Sequence, residues 1–231
     1  MAASQKDACF QDLKRRILAT DLAPGADLDE VTLTERYGIS RTPLREVFQR
    51  LAGDGYVWLT ANRGAKVSSM DLATMRTFFQ TAPMIYASIA RLAAEYRDPE
   101  ELQALKEAQA QFRRATQNRD APAAALANHR FHAMIGRMAR NAYLMACLER
   151  LLIDHTRLSQ TFYRAESADD TARIKTASDQ HDALIAAIEA GDADQAIDLT
   201  ISHWDLSRDR MEAFVRPDPL PRDIAERAHA V

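Results

Sequence analysis

The sequence has few of the residues that interrupt helices or crosslink chains. Its 231 residues include only seven glycines, eight prolines and two cysteines. This shortage of glycine and proline, together with abundant Ala, Leu, Glu, Gln and Arg, favours helices. Cys9 and Cys147 stand at unrelated positions without a CxxC pattern. We therefore expect free thiols in a reducing cytoplasm and no disulfide.

Targeting segments are also missing from the sequence. The first ten residues, MAASQKDACF, contain no basic segment followed by an apolar run, so no secretory signal is evident. No run of about 18 apolar residues occurs, so we expect no membrane contact and a cytoplasmic location. A hydrophobic fraction of 47% is enough for a packed core, and 231 residues are comfortable for two domains.

Charge is unevenly distributed along the chain, although the net charge is only −3. Between residues 36 and 66 two acidic residues accompany six basic ones, namely Arg36, Arg41, Arg45, Arg50, Arg63 and Lys66. A small basic module on an acidic body is typical of a protein that binds a polyanion. A solvated helix face would give the same count, so charge alone does not decide.

The first 69 residues combine three predicted helices with a hairpin. Apolar spacing predicts a helix over residues 7–20, and a second helix closes at Gly38. A third helix follows at once, where Ser40 or Thr42 can cap it. The segment YVWLTANRGAKVSS has β-prone residues on both sides of ANRG, which predicts a two-stranded hairpin. This layout is that of a winged helix-turn-helix domain.

The remainder of the chain predicts an all-helical bundle, so the fold class is mainly α. The six predicted helices span residues 71–96, 99–118, 121–139, 141–165, 169–190 and 192–215. We expect Pro83 to kink or split the first of them. The predicted organisation is a winged helix-turn-helix domain over 1–69, a helical domain over 70–215 and a flexible tail over 216–231, which is rich in proline.

The third predicted helix has one apolar face and one polar face. Its apolar stripe, at the spacing i, i+3, i+4 and i+7, consists of Leu44, Val47, Phe48 and Leu51. Arg41, Arg45 and Gln49 form a ridge displaced toward the open side. Near a helix N-terminus such side chains can reach base edges in a major groove, and Arg can bind guanine through two hydrogen bonds. A capped surface helix with solvated arginines is the alternative.

The segments LAPGADLDE, TERYGISRTPLREVFQRLAGDGYV and NRGAKV resemble the N-terminal domain of the GntR family of bacterial transcription regulators. The resemblance covers most of residues 10–68. It implies DNA contacts from the recognition helix through Ser40, Arg41, Thr42 and Arg45, and from the wing through Arg63 and Gly64. Some relatives carry a further DNA-contacting arginine where this sequence has Val31.

Three of the six histidines lie in line with apolar residues of different predicted helices. His132, His181 and His203 should therefore point into one bundle, where unpartnered imidazoles would be costly. Bundle interiors are where metal sites form from facing helices, and neutral imidazole is a common metal ligand. Asn128 lies one turn before His132 on the same face, whereas His129 points elsewhere and is a neighbour. A hydrogen-bonded histidine cluster is the alternative.

The segments NHRFHAMIGRMARNAYL, DQHDALIAAIEAGDADQAI and SHW resemble the ligand-sensing FCD domain of the FadR subfamily, over about residues 70–215. The resemblance implies a divalent metal ion bound by Asn128, His132, His181 and His203, zinc first, with nickel, manganese or iron as alternatives. Most relatives have Asp in place of Asn128. Asparagine is a neutral, weaker donor, so the site is one charge unit more positive, which would favour an anionic effector.

A second departure concerns the effector pocket, whose residues the sequence does not identify. Many relatives have an Arg four residues before a Glu in the first bundle helix, where the alignment places Ala82 and Tyr86. A carboxylate-binding arginine would then be absent. The family's usual effectors are carboxylates, which we expect here as well.

Together these features predict a homodimeric transcription regulator that binds an inverted-repeat operator in double-stranded DNA and responds to a small carboxylate. Two other functions remain open: a metal-dependent enzyme, and a bundle that stores or delivers metal. The enzyme lacks support from an HExxH, Ser-His or phosphate-loop motif. Neither alternative accounts for the arginines of the third helix.

Overall fold

The structure is a computed structural model that describes residues 5–60 and 64–213, with side chains described as far as residue 206. These residues form nine helices and three short strands: α1 (Gln5–Leu18), β1 (Asp27–Leu28), α2 (Glu30–Tyr37), α3 (Arg41–Gly53), β2 (Val57–Thr60), β3 (Gly64–Val67), α4 (Leu72–Glu95), α5 (Pro99–Gln117), α6 (Ala121–Met138), α7 (Ala142–Phe162), α8 (Ala168–Ala190) and α9 (Ala193–Ala213). The fold is mainly α, as predicted. Arg63 and the predicted tail over 216–231 lie outside the described residues.

The elements from α1 to β3 form a winged helix-turn-helix, which we call the head. Strands β2 and β3 are the predicted hairpin and pair antiparallel, with Val57 opposite Val67. The sequence did not predict β1, which adds a third strand on the other side of β3 and places Asp27 opposite Lys66. Two residues are too short to show the alternation that marks a strand, so only tertiary contacts reveal it.

Capping residues explain where the head helices begin and end. The Asp29 carboxylate accepts a hydrogen bond from the Thr32 N–H and starts α2. Gly38 ends α2 at a φ of 61°, a left-handed conformation that glycine adopts without strain. Ser40 stands at the N-cap of α3, although its side chain makes no capping hydrogen bond.

Helices α4 to α9, which we call the bundle, lie within a few residues of the predicted bounds. Of the kink or split predicted at Pro83, the split is wrong, because α4 runs unbroken from Leu72 to Glu95. Proline inside a helix costs roughly 3 kcal/mol, yet Phe78, Ala82 and Tyr86 on either side are buried in one core. Packing therefore outweighs the local cost. Among the residues described, no helix is both long enough and apolar enough to span a membrane.

Helix α7 fastens the head to the bundle. Ile153 of α7 is buried in the hydrophobic core of the head. The Gln160 side chain donates a hydrogen bond to the Leu18 carbonyl (3.0 Å), and Arg157 Nη1 donates to the Ser68 carbonyl (2.7 Å). The Arg157 side chain is fully buried and forms an ion pair with Asp154, a residue of the same helix. Burial lowers the pKa of the Arg157 guanidinium, and the Asp154 charge opposes that shift.

We expect Arg157→Met to lower the free energy of unfolding by about 3–5 kcal/mol, because it leaves a buried carboxylate without its main partner. Urea denaturation followed by circular dichroism measures this change. Arg150→Met is the matched control, since Arg150 pairs with the same Asp154 (3.4 Å) from a half-exposed position. Equal stability of the two variants would contradict the conclusion that Arg157 is the main partner of Asp154.

Candidate DNA-binding surface and candidate metal centre

Helix α3 has the two faces that its sequence predicts. The apolar stripe of Leu44, Val47, Phe48 and Leu51 is buried in the head core. The predicted contact residues Ser40, Arg41, Thr42, Arg45 and Gln49 are all exposed to solvent, as are Glu46 and Arg50. All five predicted recognition-helix residues are therefore accessible to a ligand.

The wing, which is the hairpin of β2 and β3, lies beside this exposed side of α3. A groove of about 200 Å³ separates them, and it is lined by Glu30, Arg45, Phe48, Gln49, Leu59, Thr60 and Gly64. Gly64 has a φ of +83°, and a Cβ there would lie 3.0 Å from the Leu28 carbonyl oxygen and 3.3 Å from Glu30 Cγ. Glycine thus allows the wing to approach α2. The predicted wing contact Arg63 falls outside the described part of the chain.

The basic residues of the head are less free than the charge count suggests. Four of them form ion pairs with acids that precede the counted segment, and these pairs are Arg36–Asp12, Arg45–Glu30, Arg50–Asp7 and Lys66–Asp27. The Arg50 guanidinium also lies 3.8 Å from the centroid of the Phe10 ring. Counting charges within one stretch of sequence therefore overstated the positive charge of this surface.

Three histidines from three helices meet inside the bundle. His132 of α6, His181 of α8 and His203 of α9 each offer a ring nitrogen, and these nitrogens all lie within 4.8 Å of one another. His132 and His181 are buried and His203 is half-buried. The Nε2 atoms of His181 and His203 are 3.3 Å apart. The predicted inward orientation of all three is confirmed.

Hydrogen bonds around Gln109 determine which nitrogen of His181 carries the proton. The Gln109 amide nitrogen donates to the Ser178 carbonyl (3.0 Å) and the Asp182 carboxylate (3.2 Å), so its oxygen faces His181 Nδ1 at 2.9 Å. A carbonyl oxygen only accepts, so Nδ1 must donate. The neutral ring therefore presents the lone pair of Nε2 to the cluster. On the other side, His203 Nδ1 lies 3.0 Å from Gln180 Oε1.

Two polar side chains of α6, one helical turn apart, each have a buried atom without a partner in the described part of the chain. Asn128 Oδ1 and His132 Nε2 have no hydrogen-bond partner among the described residues. Such atoms are costly unless a bound group satisfies them. An oxygen donor and imidazole nitrogens suit a divalent ion of the zinc type, so the residues fit the predicted metal.

Burial keeps these imidazoles neutral, the form that binds metal. Burial and the neighbouring imidazoles lower the pKa of His132 and of His181 well below the ordinary value. Burial lowers the pKa of His203 to about 4. His129, predicted as a neighbour, instead faces α7, where its Nδ1 lies 2.8 Å from Thr156 Oγ1.

The sequence reasoning missed His155 of α7, which lies beside the cluster. Its ring centroid is 5.2 Å from that of His132, and its Nδ1 is 2.7 Å from the Tyr86 hydroxyl. The spacing Leu148, Leu152, His155 places it in a buried helical row, which could have been noticed. A cavity of about 20 Å³ adjoins the cluster and is lined by Tyr86, Ile89, Ala90, His132, Ile135, Leu148, His155, Leu184, Thr200, His203 and Trp204.

Comparison with known proteins covers both parts of the chain. The HTH-type transcriptional repressor RspR of Escherichia coli is 33% identical over 85 residues, which are 37% of this chain and 37% of the repressor. The Nta operon transcriptional regulator of Aminobacter aminovorans is 31% identical over 84 residues, 36% of this chain and 40% of that protein. The chain thus spans well under two thirds of each relative's length.

The fold also matches solved structures along nearly its whole length. The structure of E. coli McbR/YncC superposes with a TM-score of 0.78 at 20% identity, over 93% of this chain and 100% of that one. Residues 79–206 match the FCD domain, and residues 5–67 match the bacterial regulatory proteins of the gntR family. The chain therefore belongs to the FCD-domain family and, through its head, to the gntR family of bacterial regulatory proteins.

Proposed function

We propose that this chain is a DNA-binding transcription regulator and not an enzyme. In this proposal residues 1–69 bind a double-stranded operator, and residues 70–215 bind a divalent metal ion and a small carboxylate effector. The accessible row of Arg41, Arg45 and Gln49 beside the wing is the observation that carries it. The names of the two relatives, a transcriptional repressor and an operon regulator, support it.

The recognition surface would contact DNA through Ser40, Arg41, Thr42, Arg45 and Gln49 of α3 and through Arg63 and Gly64 of the wing. A major groove admits one α-helix, so α3 could enter it with its exposed side toward the bases. We expect the chain to act in the cytoplasm as a homodimer, because a two-fold protein binds an inverted repeat with both copies.

The metal would be held by Asn128, His132, His181 and His203. Gln109 and Gln180 support this role, because ligating histidines commonly donate their second N–H to a neighbouring acceptor. When bound, a divalent ion would supply a positive charge to which a carboxylate can coordinate. Zinc suits the ligands best, with nickel, manganese or iron as alternatives.

The effector would depend on that ion for charge neutralisation. Among the described residues that line the cavity there is no lysine or arginine. Ala82, at the position where many relatives carry arginine, is buried in the bundle core, and Tyr86 bonds to His155. An anion entering this cavity would therefore find no cationic side chain, and its affinity would follow the occupancy of the metal site.

A metal-dependent enzyme has less support at the same site. No aspartate or glutamate is among the described residues that line the cavity, so no carboxylate is placed to act as a general base. A bundle that only stores or delivers metal would leave the exposed side of α3 without a role. Selection of duplexes from a random library, followed by gel shifts with and without chelator, distinguishes the three functions. Failure to enrich any duplex would contradict the proposal that the chain is a transcription regulator.

Arg45→Ala should weaken binding to the enriched duplex by roughly 10- to 100-fold, the range expected for loss of one bidentate base contact. Fluorescence anisotropy with the labelled duplex measures this. Arg91→Ala is a matched control, because Arg91 of α4 is also exposed and also ion-paired with a glutamate. Equal affinity of the Arg45 variant and the wild type would refute the contact.

His181→Ala should lose the bound ion and the thermal stability that the ion confers. A ligand present at 100 times its Kd stabilises the folded state by about 2.7 kcal/mol. The wild type should therefore melt higher with zinc than with chelator, and the variant should show no such difference. His129→Ala, which removes a histidine outside the cluster, should keep both the ion and the shift. Metal analysis of each protein completes the comparison.

Asn128→Asp should tighten metal binding by roughly tenfold, the lower end of the effects seen when groups around a metal are altered. The reason is that it exchanges a neutral oxygen for an anionic one. The added charge should also weaken the response to a carboxylate. Chelator competition measures the affinity, and Asn141→Asp at the N-cap of α7 makes the same chemical change away from the histidines. Unchanged affinity would exclude Asn128 as a ligand.

A further inference from the structure

The guanidinium of Arg45 is held by Glu30 through two hydrogen bonds. Arg45 Nε donates to Glu30 Oε1 (3.0 Å), and Nη2 donates to Oε2 (3.3 Å). This geometry occupies one edge of the planar guanidinium. The adjacent edge, formed by Nη1 and the second hydrogen of Nη2, keeps the paired donors that match guanine O6 and N7.

Glu30 is itself constrained by its place in α2 and by the neighbouring wing. It is the first residue of α2, directly after the capping Asp29. The wing residue Gly64 lies against it so closely that a Cβ would come within 3.3 Å of Glu30 Cγ. The Glu30 side chain is accordingly only 15% exposed, whereas that of Arg45 is 62% exposed. A partly buried carboxylate therefore anchors an accessible guanidinium.

We propose that Glu30 is a positioning residue that sets the base specificity of the DNA-binding surface by orienting the free edge of Arg45 toward the major groove. The inference rests on the proposed function, since it requires that α3 binds DNA. Gly64 then acts through Glu30, because its missing Cβ leaves room for the anchor.

Removing the Glu30 carboxylate should affect specific and non-specific DNA binding differently. A carboxylate near the duplex repels phosphates, so removing it should maintain or raise affinity for unrelated sequence. Removing the anchor also lets the Arg45 side chain move, and ordering one such side chain on binding costs roughly 3- to 10-fold in affinity. Specific binding should weaken while non-specific binding does not.

The test compares two probes by anisotropy: the duplex enriched from a random library by the wild type, and a scrambled duplex of the same base composition. Glu30→Ala should lower the ratio of specific to non-specific affinity by roughly 3- to 10-fold. Repeating the enrichment with Glu30→Ala should relax the same base position that Arg45→Ala relaxes. Glu95→Ala, which removes the partner of Arg91 in the bundle, should leave the ratio unchanged.

A double-variant cycle separates positioning from a general structural effect. If Glu30 acts through Arg45, then adding Glu30→Ala to Arg45→Ala should not lower the ratio further. This inference is overturned if Glu30→Ala lowers the ratio further in the Arg45→Ala variant, or if Glu30→Ala alone leaves the ratio unchanged. The proposed DNA-binding function would survive either result. If the wild type enriches no duplex, the proposed function fails and this inference fails with it.

Discussion

The buried ion pair of Arg157 and Asp154 is the interaction on which the joining of head and bundle depends. A buried guanidinium is tolerated only where an anion and further acceptors meet it. Asp154 supplies the anion and the Ser68 carbonyl, directly after the wing, supplies an acceptor. Since those partners come from both parts of the chain, a change in their relative position would leave the charge unsatisfied. The ion pair therefore fixes geometry more than it adds stability.

Helix α7 contacts the head and the histidine cluster through consecutive residues. Asp154 and Arg157 face the head, His155 lies against His132, and Thr156 bonds to His129, which directly follows Asn128 in α6. One helical turn thus contacts both the head and the histidine cluster. Because a helix moves as a rigid element, a displacement of α7 at His155 also displaces Arg157, whose side chain binds the Ser68 carbonyl. This contact gives the bundle a direct physical route to the head.

Periodicity predicted most of the helices and the three clustered histidines, because both follow from which side of a helix is apolar. It did not predict pairs between distant residues. Glu30 and Arg45 are 15 residues apart, and Gln109 and His181 are 72 apart, so no local pattern connects them. The same limit explains the missed strand β1 and the overstated charge of the head. In each case the decisive partner came from another part of the chain.

The two candidate sites differ in charge and burial, and this difference determines which substitutions each site tolerates. Around α3, Arg45, Glu46 and Arg50 form ion pairs at the surface, where an ion pair contributes little to stability. Exchanging Glu30 or Arg45 should therefore cost the head little stability, so an effect on the proposed DNA binding can be separated from unfolding. Around the histidines the rings are buried and neutral, and Gln109 links His181 to Asp182. A change there leaves a polar atom unsatisfied, so the hydrogen bonds that orient the histidines also constrain which substitutions this cluster tolerates.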